Sequence, residues 1–201
     1  EGKGQEVRLF EEMVSFIAGN DMTLEENYER ACRLIDVDSY IDYYAAQTYI
    51  ARYGDWPGGN YAAWRTRKSE GSAYGDCRWR WMLFDVNSGA LAVDMVEADI
   101  FVSIPQSDVV FQSLYQNEAF RAKFAERLLY IGGEIYSEEN CKAFLEDYVQ
   151  RMREPVAAGS LRFYNDARRE EFDRNVENIS LFFEGRYDAI WSSLTENMGE
   201  E

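Results

Sequence analysis

Residues 54–60 read GDWPGGN, residues 61–67 YAAWRTR, residues 68–77 KSEGSAYGDC and residues 78–84 RWRWMLF, with Asp85 following. The first segment is turn chemistry, built from Pro57 and three glycines. The second and fourth are short, aromatic and disposed on either side of a Gly-containing loop, the pattern of a β-hairpin. Antiparallel partners keep a constant index sum. A loop centred near residues 72–73 makes that sum 145. Trp64 then faces Trp81, Ala62 faces Leu83 and Asn60 faces Asp85, all on one side of the ribbon because side chains alternate with period two. On the other side Arg65 lies opposite Arg80, and Arg67 opposite Arg78. Like charges directly opposite repel. Either Asp and Glu from the acidic surplus neutralise these arginines, or Arg65 and Arg80 take a phosphate or an acidic or phosphorylated substrate segment.

The register sets Asn60 beside Asp85 at the open end of the hairpin, with Asp55 five residues upstream in the tight loop. Paired oxygen side chains with an acid nearby suit a hard cation such as Mg2+, which takes oxygen ligands, keeps waters and bridges to phosphates. An aspartate beside such a site can orient a hydroxyl nucleophile. The same residues are also ordinary company for Gly and Pro in turns, and spacing alone leaves both readings open.

Outside the hairpin the pattern is helical. Val7, Phe10, Val14 and Ile17 share one face of residues 7–18. Thr23 to Glu26 has the form of a capping box for a helix reaching about Ile35. Asp36-Val37-Asp38 reads as a helix stop followed by an N-cap at Asp38, for a helix running through Tyr53 and ended by Gly54. Residues 86–107 look irregular. Asn117 can cap a helix carrying Phe120, Phe124, Leu128 and Ile131, stopped by Gly132-Gly133. Ser137 can cap a long helix that Pro155 kinks or ends. A last helix, about 165–195, is expected to bury Phe172, Val176, Ile179, Phe183 and Trp191. The fold class is α+β, predominantly α-helical with one small β-hairpin, in a single domain over residues 1–201.

Composition narrows the chemistry. The 201 residues hold no histidine, which removes the Ser-His-Asp triad, the Cys-His pair, the H-E-x-x-H zinc helix and His-ligated haem. Cys32, Cys77 and Cys141 form no C-x-x-C and are expected as small buried residues. A net charge of −16 speaks against nucleic acid as a partner. No run is apolar enough to cross a bilayer, which takes ~20 residues, and no signal peptide stands at the start. The charged opening EGKGQE, without Met, reads as a cut from a longer protein. Asn178-Ile179-Ser180 has the form of a glycosylation acceptor, but its mid-helix place discounts it.

The run Asp42-Tyr43-Tyr44, Asp55-Trp56-Pro57-Gly58-Gly59-Asn60, Trp64-Arg65, Trp79-Arg80-Trp81 and Leu83-Phe84-Asp85 resembles the CotH family of spore-coat kinases. Asn117 to Arg121 with Phe124 and Arg127, and the F-x-x-R ending of Phe182 to Arg186, fit the same pattern. The resemblance covers nearly the whole chain, with its specificity in the D-W-P-x-x-N, W-R and Asp85 cluster. It implies an atypical protein kinase whose fold resembles the C-terminal lobe of protein kinases. In ordinary kinases H-R-D-x-x-x-x-N is followed by a hairpin and the Asp of D-F-G; here Asp55 and Asn60 precede a hairpin and then Asp85. The resemblance implies Asp55 as catalytic base or hydroxyl-orienting group, and Asn60, Asp85 and Asn87 as holders of Mg2+ or Mn2+ on the phosphates of ATP. It implies a protein substrate, expected from charge to be Ser-rich and basic, and a spore-coat, cell-envelope or secreted setting.

The chain departs from the family in three places. Asp85-Val86-Asn87 stands where D-x-D is usual, which removes one charge from the metal site. Arg52-Tyr53-Gly54 replaces a small or Asn-containing stretch. No Gly-rich loop is present, and none of Lys3, Lys68, Lys123 and Lys142 follows an apolar strand as a nucleotide-binding lysine should. The expectation is a catalytic lobe whose N-terminal nucleotide-binding lobe lies outside this chain, so that the piece alone holds ATP weakly or not at all. Two other classes remain in view: a non-catalytic surface-binding or adhesion module on a kinase-like scaffold, and a metal-dependent phosphoesterase using Asp55, Asn60 and Asp85.

Overall fold

A computed structural model describes residues 4–52, 56, 59–87, 89–90, 95–99, 108–163 and 167–198, without the side chains of 167–169 and 198. In chain order these form α1 (Gln5–Gly19), α2 (Glu25–Leu34), α3 (Val37–Tyr49), β1 (Ala63–Trp64), β2 (Arg80–Trp81), α4 (Val109–Leu114), α5 (Glu118–Tyr130), a π-helical turn (Ile131–Ile135), α6 (Glu138–Phe163) and α7 (Ala167–Met198). The architecture is the helical α+β body with one antiparallel hairpin that the sequence predicts.

Helix α3 is the axis of the core. Ten of its thirteen residues are buried, and only a narrow strip at its first turns, Asp38 and Asp42, meets solvent, as expected of a helix enclosed on most sides. Its N-cap is Asp36, whose Oδ1 accepts from the Ser39 amide at 3.4 Å. The cap therefore sits two residues before the expected Asp38, whose carboxylate pairs instead with Lys123. The helix also ends four residues short of Tyr53, and Ala51 turns the chain at φ 49°. Around α3 an aromatic cluster packs edge and face: Tyr40 against Trp81 at 4.5 Å and Tyr44 on Phe111 at 4.9 Å. Asp108 closes this cluster from α4. It caps that helix through Val110 and Phe111 and accepts from the hydroxyls of Tyr44 and Tyr61.

Other boundaries differ for local reasons. Thr23 does not cap α2; its amide and hydroxyl both donate to Asp21, and Leu24 takes the cap position. Asn117 caps α5 as predicted, its Oδ1 accepting from Phe120 N at 3.1 Å. Gly132-Gly133 does not stop that helix. The chain continues as a π turn, because Gly132 packs where a Cβ would lie 2.4 Å from the Tyr49 ring. Pro155 sits inside α6, which runs on to Phe163. The buried stripe of α7 is Phe182, Arg186, Ile190 and Leu194, at spacing four; of the residues expected there, Phe172, Val176, Ile179 and Phe183 are half-buried and Trp191 is 54% exposed. The three cysteines are free and half-buried, and burial pushes the Cys141 thiol up to about 11. Among the described residues no helix is long and apolar enough to cross a membrane.

Candidate functional site

The hairpin forms one residue out of the predicted register. Ala63 pairs with Trp81 and Trp64 with Arg80, so the index sum is 144 and not 145. Trp64 and Trp81 therefore do not face each other, and Trp64 is partly exposed while Trp81 is buried. Arg65 and Arg80 do not face each other either. The paired strands are only two residues long, and β2 is held from its other side by residues 34–36, through Trp79 N to Leu34 O and Asp36 N to Trp79 O, each 2.9 Å.

Asn60 and Asp85 nevertheless meet. The Asn60 Nδ2 donates to Asp85 Oδ2 at 2.7 Å, across 25 residues of sequence. Register alone does not produce this contact. Both residues leave the extended conformation, Asn60 at φ 47° and Asp85 at φ 51°. Left-handed backbone costs an ordinary L-residue roughly 1–2 kcal/mol, and Asn and Asp tolerate it best. The residue types at both positions thus suit the backbone as well as the chemistry.

The loops carrying these residues are tied down by buried polar groups. Trp56 is buried, its indole N–H donates to the Tyr43 hydroxyl at 2.8 Å, and its ring lies against Tyr43 and Tyr44. Arg52 is 5% exposed and reaches from the end of α3 to the Phe84 carbonyl at 3.0 Å. Ala90 N donates back to Ile50 O at 2.8 Å. Behind them Arg186 of α7 is 1% exposed. Its guanidinium donates to the carbonyls of Tyr49 (2.8 Å) and Thr48 (2.9 Å) at the end of α3, and to Val96 (2.5 Å) and Ala98 (3.1 Å). A cation suits the negative end of a helix dipole. Burial still depresses its pKa to about 10.

Asp55 lies outside the described residues. Asn87 is exposed in the turn closed by Gly89 N to Val86 O, and it bonds to neither Asn60 nor Asp85. Arg80 is buried between two carboxylates: its Nη1 and Nη2 take both oxygens of Asp76 at 2.9 and 2.7 Å, and Nη2 lies 2.8 Å from Asp36 Oδ2. These hydrogen bonds hold the Asp76 carboxyl well below the usual carboxylate range. Acid pairing thus occupies Arg80. Arg65 is half-buried, donates to Thr66 O and lies over the Trp79 ring at 5.7 Å. Beside this cluster an open groove of about 540 Å³ is lined by Asp36, Asp38, Asp42, Tyr74 and Leu83.

Nothing in the local pattern around Arg52 or Trp56 marks them as anchors of these loops. For Arg186 a signal existed: a lone charge on the apolar stripe Phe182, Ile190, Leu194 must find buried partners.

The oxygens that Asp85, Asn60 and Asn87 would offer carry a single formal charge, chemistry that would suit a magnesium-type ion keeping waters and phosphate oxygens in its remaining positions. Among the described residues, no three His, Cys, Asp or Glu side chains converge as a metal cluster. A family model described as CotH kinase protein matches residues 1–190. No curated protein and no solved structure matches the chain.

Proposed function

The chain belongs to the CotH kinase protein family, which points to a kinase-type enzyme at a coarse level, and from that premise we propose that it is the metal-binding and catalytic lobe of an ATP-dependent protein kinase. The observation that carries the reading is the Asn60–Asp85 contact at 2.7 Å, joining the two motif loops. In this reading Asp85, with the amide oxygens of Asn60 and Asn87, holds Mg2+ or Mn2+. The metal, when bound, neutralises charge on the transferring phosphate. Asp55 accepts the proton of a Ser or Thr hydroxyl as its oxygen attacks the γ-phosphorus and ADP departs. The nucleotide-binding lobe is supplied by residues outside this chain. In support, Lys68 and Lys142 are exposed and Lys123 is paired with Asp38, so among the described residues no lysine sits on a strand to reach a phosphate. The net charge of −16 favours a basic protein substrate, and transfer to a hydroxyl calls for Ser or Thr in it. The family name associates the protein with the spore coat, and a spore, envelope or secreted setting belongs to the proposal.

The test is transfer of γ-labelled ATP to protein with Mg2+ or Mn2+, on the protein that carries this chain, beside Asp55→Ala and Asp85→Ala. Label in the wild type, reduced about 100-fold or more in both variants, supports a phosphotransferase working through this site. Folded wild type that transfers nothing overturns the reading. Release of phosphate without labelled protein would mark a phosphoesterase. One observation favours a non-catalytic binding module: Asn87 stands in place of a second acid and is bonded to neither partner. That reading predicts no transfer with any metal.

A further inference from the structure

We propose that Arg52 is a positioning residue that sets the Asn60–Asp85 pair, by stitching the end of α3 to the peptide unit directly before Asp85. The inference rests on the reading of Asn60 and Asp85 as the metal-holding pair, and it adds the device that keeps them in place.

The stitch has two sides. On one, Arg52 Nη1 donates to the Phe84 carbonyl at 3.0 Å. On the other, Ala90 N donates to Ile50 O at 2.8 Å. Residues 50–52 thus hold both ends of the turn that runs from Phe84 to Ala90 and carries Asp85 and Asn87. The fit between the two segments is close: a Cβ on Gly89 would lie 2.7 Å from Cγ1 and Cδ1 of Ile50.

Strain marks the same place. Ala51, Asp85 and Ala90 all have positive φ, at 49°, 51° and 56°. Alanine has no side chain to stabilise that backbone, so tertiary bonds must hold it. At Ala51 and Ala90 these are the backbone bonds of their own amides, to Thr48 O and Ile50 O; ahead of Asp85 it is the Arg52 guanidinium on the Phe84 carbonyl. Arg52 is buried, and its guanidinium is aimed by Gln47, whose Oε1 accepts from the same Nη1 at 3.3 Å and whose carbonyl accepts from Arg52 N at 3.1 Å. Fixing the Phe84 carbonyl fixes the orientation of the peptide that enters Asp85. That orientation, with φ 51°, turns the carboxylate toward Asn60. A lysine carries the charge, but its ammonium rotates freely and does not fix the two bonds of Nη1 in the plane of a guanidinium.

The test compares Arg52→Gln, Arg52→Lys and Gly89→Ala with Leu128→Ala, a buried-residue control that takes part in none of these bonds. The readout is the pair of side-chain amide resonances of Asn60, assigned with Asn60→Asp, together with Mn2+ affinity and the melting temperature. Arg52→Gln moves the Asn60 amide signals to the positions of a solvent-exposed amide, Arg52→Lys does so in part, and Leu128→Ala lowers the melting temperature while leaving them in place. Gly89→Ala produces the same displacement from the opposite end of the stitch with the guanidinium intact. Mn2+ binding weakens tenfold or more in Arg52→Gln. A folded Arg52→Gln with wild-type Asn60 signals overturns the proposal. Should Arg52→Gln fail to fold, Gly89→Ala decides, and wild-type signals there overturn it too. Wild type that binds no Mn2+ would overturn the metal reading of the pair, while the Asn60 signals still decide whether Arg52 positions it.

Discussion

The motif-bearing end of the molecule and the long helical arm of α6 and α7 spend their residues differently. Within residues 51–90 lie all five non-glycine residues with positive φ among the described residues: Ala51, Asn60, Cys77, Asp85 and Ala90. Arg52 and Arg80 are buried there, and Gln47, which accepts from Arg52, is buried as well. Helix α6, by contrast, is 26 residues long with Ser160 as its buried residue. Phe144, Leu161 and Phe163 on it stand 65%, 72% and 67% exposed. A protein that accepts strained backbone and desolvated charge at one end, and leaves apolar side chains in water at the other, has its stability committed where its motifs converge. Strain of this kind persists only where the surroundings over-determine it.

Arg186 joins the two regions, and removing it is expected to have the largest effect. Arg186→Leu removes the buried donor of the Tyr49, Val96 and Ala98 carbonyls, and of Thr48, which keeps the Ala51 amide at 3.0 Å. Each unsatisfied buried group costs about 1–3 kcal/mol, so a loss of about 3 kcal/mol or more is expected from urea unfolding. Arg186→Lys restores the charge but not the fan of donors and falls between the two. A loss below about 1 kcal/mol would mean that the arm and the motif end are joined by apolar packing alone.

Alkali separates the regions next. Burial pushes up the hydroxyls of Tyr40, Tyr43, Tyr44, Tyr49 and Tyr61, all at the motif end. It takes Tyr115 to about 12. An unfolded tyrosine ionises near pH ~10, so above that pH the unfolded chain gives up protons that the folded chain keeps. The stabilisation from these groups is complete below pH ~10 and is lost as pH rises through the folded values. Urea midpoints should hold up to about pH 10 and then fall, with the buried tyrosines ionising together with unfolding. Ionisation of Tyr40, Tyr44 or Tyr61 before unfolding, followed by their ring resonances, would show that the cluster is wetter than its packing implies.

The same division governs what could be read in advance. Helices α1 and α5, the Asn117 cap and the hairpin itself follow from local pattern, because apolar spacing and cap chemistry are short-range. The hairpin register does not. Two paired residues give a hydrophobic pattern almost nothing to select with; the sum is one lower than the pattern suggests, and Trp79 beside β2 is bridged to Ile35. Asn60 and Asp85 were legible as a pair, yet the reason they meet is backbone strain and the Arg52 stitch, which depend on residues 32 apart. Gly132-Gly133 reads as a stop by propensity. Its role is set by Tyr49, whose ring needs the space. In each case the missing information is a tertiary contact that no window of sequence contains.

The smallest expected effect falls on the arm. Phe144 is 65% exposed and stacks on Tyr148 at 6.4 Å between ring centres. Phe144→Ser removes that contact while changing helix propensity little. Little apolar area is withdrawn from water at Phe144, so the hydrophobic term has little to lose. The expected change in unfolding free energy is within about 0.5 kcal/mol, with the Asn60 amide signals and Mn2+ affinity unmoved. A loss above about 2 kcal/mol belongs to buried side chains, and would mean that the Phe144 ring is covered in solution and that the arm is part of the core. Equal stability with altered Asn60 signals would tie the arm to the motif end through Arg186, the one buried charge among the described side chains of α7, and would break the division of labour between the two regions.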